Sequence, residues 1–130
     1  MKPKSLRQLK NAIDKARREY IWKRDADWKG FGRCISCNAV GNWLSIGHFF
    51  SRVHDFTTEL GGDERNTQLQ CGICNGHKRG NPREYAVGLV RKYGESVLTE
   101  LLKKKQTPKY WGVKKLQELL DFYKQKLTEL

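Results

Sequence analysis

Two Cys-x-x-Cys pairs, Cys34–Cys37 and Cys71–Cys74, contain all four cysteines of the chain. A two-residue spacer lets both sulfurs of a pair reach one ion, and zinc takes four thiolates in a tetrahedron. Two disulfides are the alternative, but Cys-x-x-Cys closes a loop too short for a good structural bridge, and nothing marks a secreted chain. We therefore expect a structural Zn²⁺ held by Cys34, Cys37, Cys71 and Cys74.

His48 lies between the two pairs, and Asn75 follows the second pair directly. A neutral imidazole can serve as the general base that activates water for cleavage of a phosphodiester. An amide oxygen suits a hard cation such as Mg²⁺ or Mn²⁺, which would bind the phosphate. Taken alone, His48 would be structural and Asn75 a helix N-cap, but their positions around the thiolate pairs favour catalysis. Because four sulfurs leave zinc no open position, we predict a separate catalytic metal with Asn75 as a ligand.

Asn66, five residues before Cys71, is a third candidate. It is predicted to brace the loop after His48 and to orient the imidazole through hydrogen bonds. A simple turn residue is the alternative role. His54 and His77 have no comparable context, and His77 is expected on the surface, where it could touch phosphate.

The elements that must position these residues follow from periodicity and turn signals. Residues 5–25 predict a helix with Ser5 as its N-cap and an apolar stripe of Leu6, Leu9, Ile13, Ala16 and Tyr20. Residues 43–46 predict a strand leading to His48, and residues 67–70 predict the returning strand. A helix is then expected to begin near Asn75.

Three further helical segments are predicted, at 82–94, at 95–105 and from Thr107–Pro108 onward, where Thr is an N-cap followed by Pro in the first turn. Apolar residues recur in the last helix at spacings of three and four: Val113, Leu116, Leu120, Tyr123, Leu127 and Leu130. Such a seam fits another helix, either within the fold or on a second copy of the chain.

The charge of the chain predicts a polyanionic partner. Lys and Arg number 26 against 14 acids, which gives a formal net charge of +12. DNA is favoured over an anionic membrane, because no apolar run approaches the length of a spanning helix. The first helix is strongly basic, although a solvated outer face is the alternative reading of that charge. The candidate DNA contacts are Arg7, Lys10, Arg17, Arg18, Lys78 and Arg79.

Together these observations predict an α+β protein with a small zinc-stabilised ββα-metal core flanked by N- and C-terminal helices. The expected parts are a basic amphipathic helix at 1–27, the core at 28–82 and a helical extension at 83–130, all within one compact domain. With paired thiols available for metal and no apolar signal-type stretch, we expect a cytoplasmic location.

The order strand, loop, strand, helix, with His ending the first strand and Asn opening the helix, resembles the HNH (His-Me finger, endonuclease VII-like) nucleases. Within these, the chain is similar to the lambda-type NinG/Rap phage recombination proteins. The similarity extends from about residue 17 to the end. It rests on residues 20–25, Cys34–Cys37, Gly47–Phe49, Gln70–Asn75, Arg79–Asn81, residues 84–89 and Tyr110–Trp111.

This resemblance implies a phage-encoded, metal-dependent endonuclease that acts in the bacterial host cell. Its substrates would be branched DNA such as Holliday junctions and D-loops, cut during homologous recombination. Because a resolvase nicks two strands at opposed positions, a homodimer is expected, with the last helix as the candidate seam.

One position departs from the wider pattern. Many HNH enzymes have Asp immediately before the catalytic His as a second metal ligand, whereas this chain, like the NinG-like proteins, has Gly47. A carboxylate from the loop could replace it, from Asp55, Glu59, Asp63 or Glu64, or the metal could be bound loosely. The departure keeps two alternatives open, a non-catalytic zinc-containing DNA-binding module and a general HNH nuclease without selectivity for branches.

Overall fold

Residues 3–129 are described by a computed structural model, in which two small antiparallel β-hairpins lie among four α-helices. The helices are α1 (Leu6–Asp25), α2 (Pro82–Tyr93), α3 (Val97–Lys105) and α4 (Val113–Glu129). The strands are β1 (Gly32–Arg33), β2 (Val40–Gly41), β3 (Ser45–His48) and β4 (Thr67–Gln70). The predicted α+β class is confirmed.

Helix α1 begins where the sequence predicts. The Ser5 hydroxyl accepts a hydrogen bond from the Gln8 N–H at 3.1 Å, and the Gln8 carboxamide accepts one from the Ser5 N–H at 2.8 Å. This reciprocal capping satisfies two backbone donors that the first turn would otherwise leave free. Four members of the predicted stripe are buried, whereas Leu6 is 40% exposed because it lies in the first turn, at the edge of the core.

The second hairpin joins the histidine to the second cysteine pair. In its register Ser45 pairs with Gln70 and His48 pairs with Thr67. His48 therefore ends β3 at one end of the hairpin, while Cys71 leaves β4 at the other. A single π-helical turn, Ile73–His77, follows β4, so the helix expected near Asn75 is short and ends before α2.

The predicted helix start at Thr107–Pro108 is wrong. These residues are extended and pair with the loop before residue 60: the Glu59 N–H donates to Thr107 O at 2.9 Å. The buried Trp111 then donates its indole N–H to Thr58 O at 2.9 Å. Tertiary pairing and a buried indole outweigh the local capping signal, and α4 begins only at Val113.

The seam of α4 packs against α1. Leu116, Leu120 and Tyr123 are buried in the same cluster as Leu9 and Ile13. The seam is therefore used within the chain, which is the first of the two alternatives, and the homodimer stays a prediction. Val113 is 52% exposed, and Leu130 lies outside the described residues.

The cysteine segment belongs to this core. Cys34, Cys71 and Cys74 are buried among residues of α1 and α4. Across residues 3–129, no helix has the length and apolarity needed to cross a membrane.

Candidate metal centre and basic groove

The four cysteines converge. Their sulfurs all lie within 4.8 Å of one another, and Cys37 alone among them is exposed. All four are free thiols, so the disulfide alternative is not observed. Four sulfurs at this separation can hold a structural metal such as zinc, which binds thiolates at about 2.3 Å in a tetrahedron.

Each Cys pair is shaped by its backbone. In the first, the Cys34 N–H donates to Ala39 O at 2.8 Å and the Asn38 N–H donates to Cys34 O at 2.9 Å, which closes a knuckle on β1 and β2. In the second, the Cys74 N–H donates to the Cys71 sulfur at 3.5 Å. The Asn81 carboxamide donates to the Cys74 sulfur, also at 3.5 Å. Such donors to thiolates orient metal ligands and stabilise their charge.

The thiols of the second pair ionise unequally. Burial opposes ionisation of Cys71, but hydrogen bonds from the Cys74 N–H and the neighbouring thiols outweigh it and lower the pKa of Cys71 to about 7. Burial raises the pKa of Cys74 to about 12, against the opposing effect of Asn81. Binding of a metal would displace the remaining protons, because only thiolates ligate zinc.

His48 is held through one ring nitrogen. Its Nε2 lies 3.0 Å from Oδ2 of Asp55, and its side chain is 21% exposed. Asp55 is buried and also receives a hydrogen bond from Arg17, at 2.8 Å to the same oxygen. A carboxylate paired with an arginine only accepts, so Nε2 of His48 is the donor. The lone pair of a neutral His48 is then on Nδ1, which is the atom able to take a proton.

Arg17, one of the predicted DNA contacts, lines the depression beside His48 but is engaged within the protein. It is buried, at 4% exposure, and besides Asp55 it donates to Gly61 O at 2.9 Å and to the Tyr123 hydroxyl at 3.2 Å. Three of its five N–H groups therefore bond within the protein. The sequence did not indicate this burial, because a count of basic residues does not show that this face of α1 packs on α4.

Asn66 makes the predicted contact with the loop after His48, but not the predicted hydrogen bond to the imidazole. Its carboxamide accepts from the Phe50 N–H at 2.9 Å and donates to Phe50 O at 3.0 Å. Its backbone O accepts from the Phe49 N–H at 2.9 Å. The contact is with the two residues that follow the imidazole, and Asp55 makes the hydrogen bond that orients the ring.

A basic groove leads away from His48 along α1. One depression of about 440 Å³ is lined by His48, Asn11, Arg18 and Arg52, among others. A second depression adjoins it, sharing Asn11 and Arg52, and its walls include the predicted contacts Arg7 and Lys10. Arg52, which also pairs with Asp14, was missed in the sequence because it lies in an irregular loop.

Asn75 lies within the Ile73–His77 turn and is exposed. Its carboxamide makes no hydrogen bond to another residue of the 3–129 segment, so the N-cap alternative is not observed. Lys78 and Arg79 are exposed just beyond it. The side chain of Asn75 is free to bind a ligand, and two cations flank its turn.

The loop carboxylates considered as second metal ligands are mostly engaged elsewhere. Asp55, Asp63 and Glu64 each pair with cations of the protein, and Glu59 is exposed. The pairs are Asp55 with Arg17 and His48, Asp63 with Arg65 and Lys104, and Glu64 with Arg24. Asp55 therefore serves the imidazole, a role that its sequence position did not indicate.

Residues 1–130 match the protein family described as "NinG: Bacteriophage Lambda NinG protein". Proteins named "Protein ninG" from Escherichia phage 933W, Escherichia phage lambda and Salmonella phage P22 are 32%, 31% and 31% identical to this chain over 134 residues. Each alignment covers 100% of this chain but only 61%, 60% and 60% of the relative. The chain thus spans about three fifths of the length of these curated relatives. No solved structure matches significantly.

Proposed function

The chain belongs to the bacteriophage lambda NinG family, and on this premise we propose that it is a metal-dependent endonuclease of the HNH type. Its substrate is branched DNA, such as Holliday junctions and D-loops, in phage homologous recombination. One observation carries the proposal: an imidazole anchored through Nε2 on a buried carboxylate lies in a groove lined by basic side chains.

The basic groove supplies the DNA-binding surface of this proposal. Arg18 and Arg52 lie beside His48, and Arg7 and Lys10 extend the same groove along α1. Guanidinium and ammonium groups neutralise phosphates and release their counterions, which makes affinity strongly dependent on salt. A backbone bound in the groove therefore passes next to the imidazole.

His48 is the general base. Asp55 fixes the ring so that Nδ1 carries the lone pair, and Nδ1 takes a proton from the attacking water. The buried Asp55, held in turn by Arg17, stabilises the imidazolium that results. The catalytic triad of serine proteases uses the same logic, in which a buried carboxylate sets the tautomer of the base.

Asn75 is the residue that holds the catalytic cation in this proposal. Its free, exposed carboxamide fits an ion such as Mg²⁺ or Mn²⁺, which prefers oxygen ligands. A cation held there would supply electrostatic stabilisation of the phosphate and of the leaving 3′-oxygen. The four-cysteine cluster would hold a structural zinc, which would fix the turn carrying Asn75 against the hairpin carrying His48.

The test compares a labelled four-way junction with a linear duplex of the same sequence, in Mg²⁺, in Mn²⁺ and in chelator. We expect cleavage of the junction that requires the divalent ion. His48→Ala should abolish cutting while zinc content and junction binding stay unchanged. His54→Ala is the matched control, because His54 does not line the groove, and this variant should retain activity.

Three results would revise the proposal. Salt-sensitive binding without cleavage in either metal would indicate a non-catalytic zinc-containing DNA-binding module. Equal cleavage of the linear duplex would indicate a general HNH nuclease. Cutting by His48→Ala at the wild-type rate would show that the base is another residue.

A further inference from the structure

Gln70 is a fully buried polar side chain at the end of β4, immediately before Cys71. Its Nε2 donates to Gly80 O at 2.7 Å and to the Ser36 hydroxyl at 2.9 Å. Its Oε1 has no partner, and it is the one buried side-chain polar atom of residues 3–129 in this condition. A buried acceptor left unpaired destabilises the fold, and a ligand bound to this oxygen would remove that cost.

The orientation of this carboxamide is fixed by its neighbours. Gly80 O is a carbonyl and can only accept, so the nitrogen of Gln70 must face it. Exchanging the oxygen and nitrogen would bring two acceptors together and would lose the shortest hydrogen bond of the side chain. The oxygen therefore points away from Gly80, toward β3.

On β3 the oxygen meets Gly47, the residue before His48. A Cβ atom built on Gly47 would overlap Gln70 Oε1 and would lie 2.9 Å from Cδ of the same side chain. Gly47 is in an ordinary strand conformation, so glycine is required here for space. The carboxamide oxygen of Gln70 thus occupies the place where a side chain at position 47 would begin.

The other end of the carboxamide reaches the turn that carries Asn75. Gly80, which accepts from Gln70, donates its own N–H to Cys74 O at 2.8 Å. Cys74 immediately precedes Asn75. The side chain of Gln70 therefore lies between the residue before the imidazole and the turn bearing the amide proposed to hold the cation.

We propose that Oε1 of Gln70 is the second protein ligand of the catalytic divalent cation, in the role that an aspartate at position 47 would have. The inference rests on the proposed nuclease function. An amide oxygen is a good ligand for Mg²⁺ or Mn²⁺, and here it is supplied by the neighbouring strand because Gly47 leaves it room. Gln70 and Asn75 then bind the ion with two neutral oxygens.

The test measures Mn²⁺ binding to the zinc-loaded protein without DNA, by electron paramagnetic resonance of the free ion. Gln70→Met keeps the length of the side chain and removes the oxygen, and it should weaken Mn²⁺ binding at least about tenfold, as Asn75→Ala should. Ser36→Ala is the matched control, because it removes a partner of Nε2 and leaves Oε1 in place, and its Mn²⁺ affinity should equal that of the wild type.

A second experiment combines substitutions at positions 47 and 70. Gly47→Asp alone should be destabilised, because its Cβ overlaps the Gln70 oxygen. Combined with Gln70→Ala, which vacates the space, the aspartate should restore Mn²⁺ binding at least to the wild-type level. Zinc content and circular dichroism confirm that each variant is folded.

The outcomes separate the two proposals. Gln70→Met with wild-type Mn²⁺ affinity, or a double variant that binds no better than Gln70→Ala, overturns the role of Gln70. If the wild type still cuts junctions in that case, the nuclease function stands. Absence of both Mn²⁺ binding and cleavage in the wild type overturns the two together.

Discussion

Nε2 of His48 lies 3.0 Å from Oδ2 of Asp55, seven residues later in the chain. Arg17 donates to the same oxygen at 2.8 Å, and both the carboxylate and the guanidinium are buried. The three groups form a chain in which a fixed cation holds the carboxylate and the carboxylate holds the ring. This arrangement holds the ring through Nε2 and leaves Nδ1 unengaged by Asp55, which is what the proposed general base requires.

Asp55→Asn should lower the rate of junction cleavage by about 10²–10⁴-fold with little change in junction affinity, because the amide carries no charge and its NH₂ can donate to Nε2 and reverse the tautomer of the ring. Stability should also fall, since Arg17 is left as a buried, unpaired charge. Asp63→Asn is the control, because it also breaks a buried ion pair but does not touch His48. Single-turnover cleavage is measured below the melting temperature of both variants. Equal cleavage rates for Asp55→Asn and Asp63→Asn would contradict this role of Asp55.

Arg17 and Arg18 are adjacent, yet they should respond oppositely to substitution. Arg17→Ala should cost about 3–5 kcal/mol of stability, because it leaves Asp55 buried without its partner. Arg18→Ala should leave stability unchanged and weaken DNA binding, with the slope of log affinity against log salt reduced by about 0.9. Chemical denaturation measures the stability of the two variants, and DNA binding at several salt concentrations measures their affinities. Loss of affinity in a folded Arg17 variant, with none in Arg18→Ala, would reverse the assignment.

The sequence predicted the local elements well where one signal dominated. The Ser5 capping box, the β4 strand and the two cysteine pairs are each encoded within a few residues. Residues 107–112 failed because their conformation depends on pairing with residues 57–59, which is distant in the sequence. Capping signals carry no information about such a partner.

The site was only partly predictable for the same reason. His48 and Asn75 were proposed as site residues from their positions relative to the cysteines, and their roles stay predictions. The role of Asp55 and the burial of Arg17 depend on how the loop folds over α1, which periodicity does not describe. The contact between Gln70 and Gly47 follows from the register of β3 with β4, in which one-residue slips move side chains to the opposite face.

Asp63 should make the protein less stable in acid. Burial disfavours its charge, but Arg65 and Lys104 outweigh burial and lower the pKa of Asp63 to about 2, from 3.8. A carboxyl whose pKa is lower in the folded state stabilises the fold above its unfolded pKa and loses that contribution as the pH falls through its folded pKa. The contribution is about 2 kcal/mol.

The unfolding free energies of the wild type and Asp63→Asn should therefore differ by about 2 kcal/mol from pH 8 to pH 5. The difference should begin to shrink below about pH 4 and close toward pH 2, because a protonated aspartic acid resembles asparagine. Loss of zinc in acid affects both proteins and cancels in the difference. If the difference in unfolding free energy widened as the pH fell, the ion pairs of Asp63 would not be the source of that difference.

Asn81 should control the affinity of the four-cysteine cluster for zinc. Its carboxamide donates to the Cys74 sulfur at 3.5 Å, and its φ of 42° is in the left-handed region. Asn81→Gly tolerates this backbone and removes the donor, so zinc affinity should fall by about 10–100-fold. Asn81→Asp also tolerates it but places a negative charge beside the thiolates, which should weaken zinc further.

Competition with a coloured chelator measures these affinities, and Asn42→Gly, at an exposed position before β3, is the control. Because Cys34, Cys71 and Cys74 belong to the core shared by α1 and α4, removal of zinc should unfold the protein cooperatively. The melting temperatures should then fall in the order wild type, Asn81→Gly, Asn81→Asp at limiting zinc, and should converge when zinc is in large excess. If the melting temperatures kept this order in excess zinc, Asn81 would affect the stability of the fold and not the affinity for zinc.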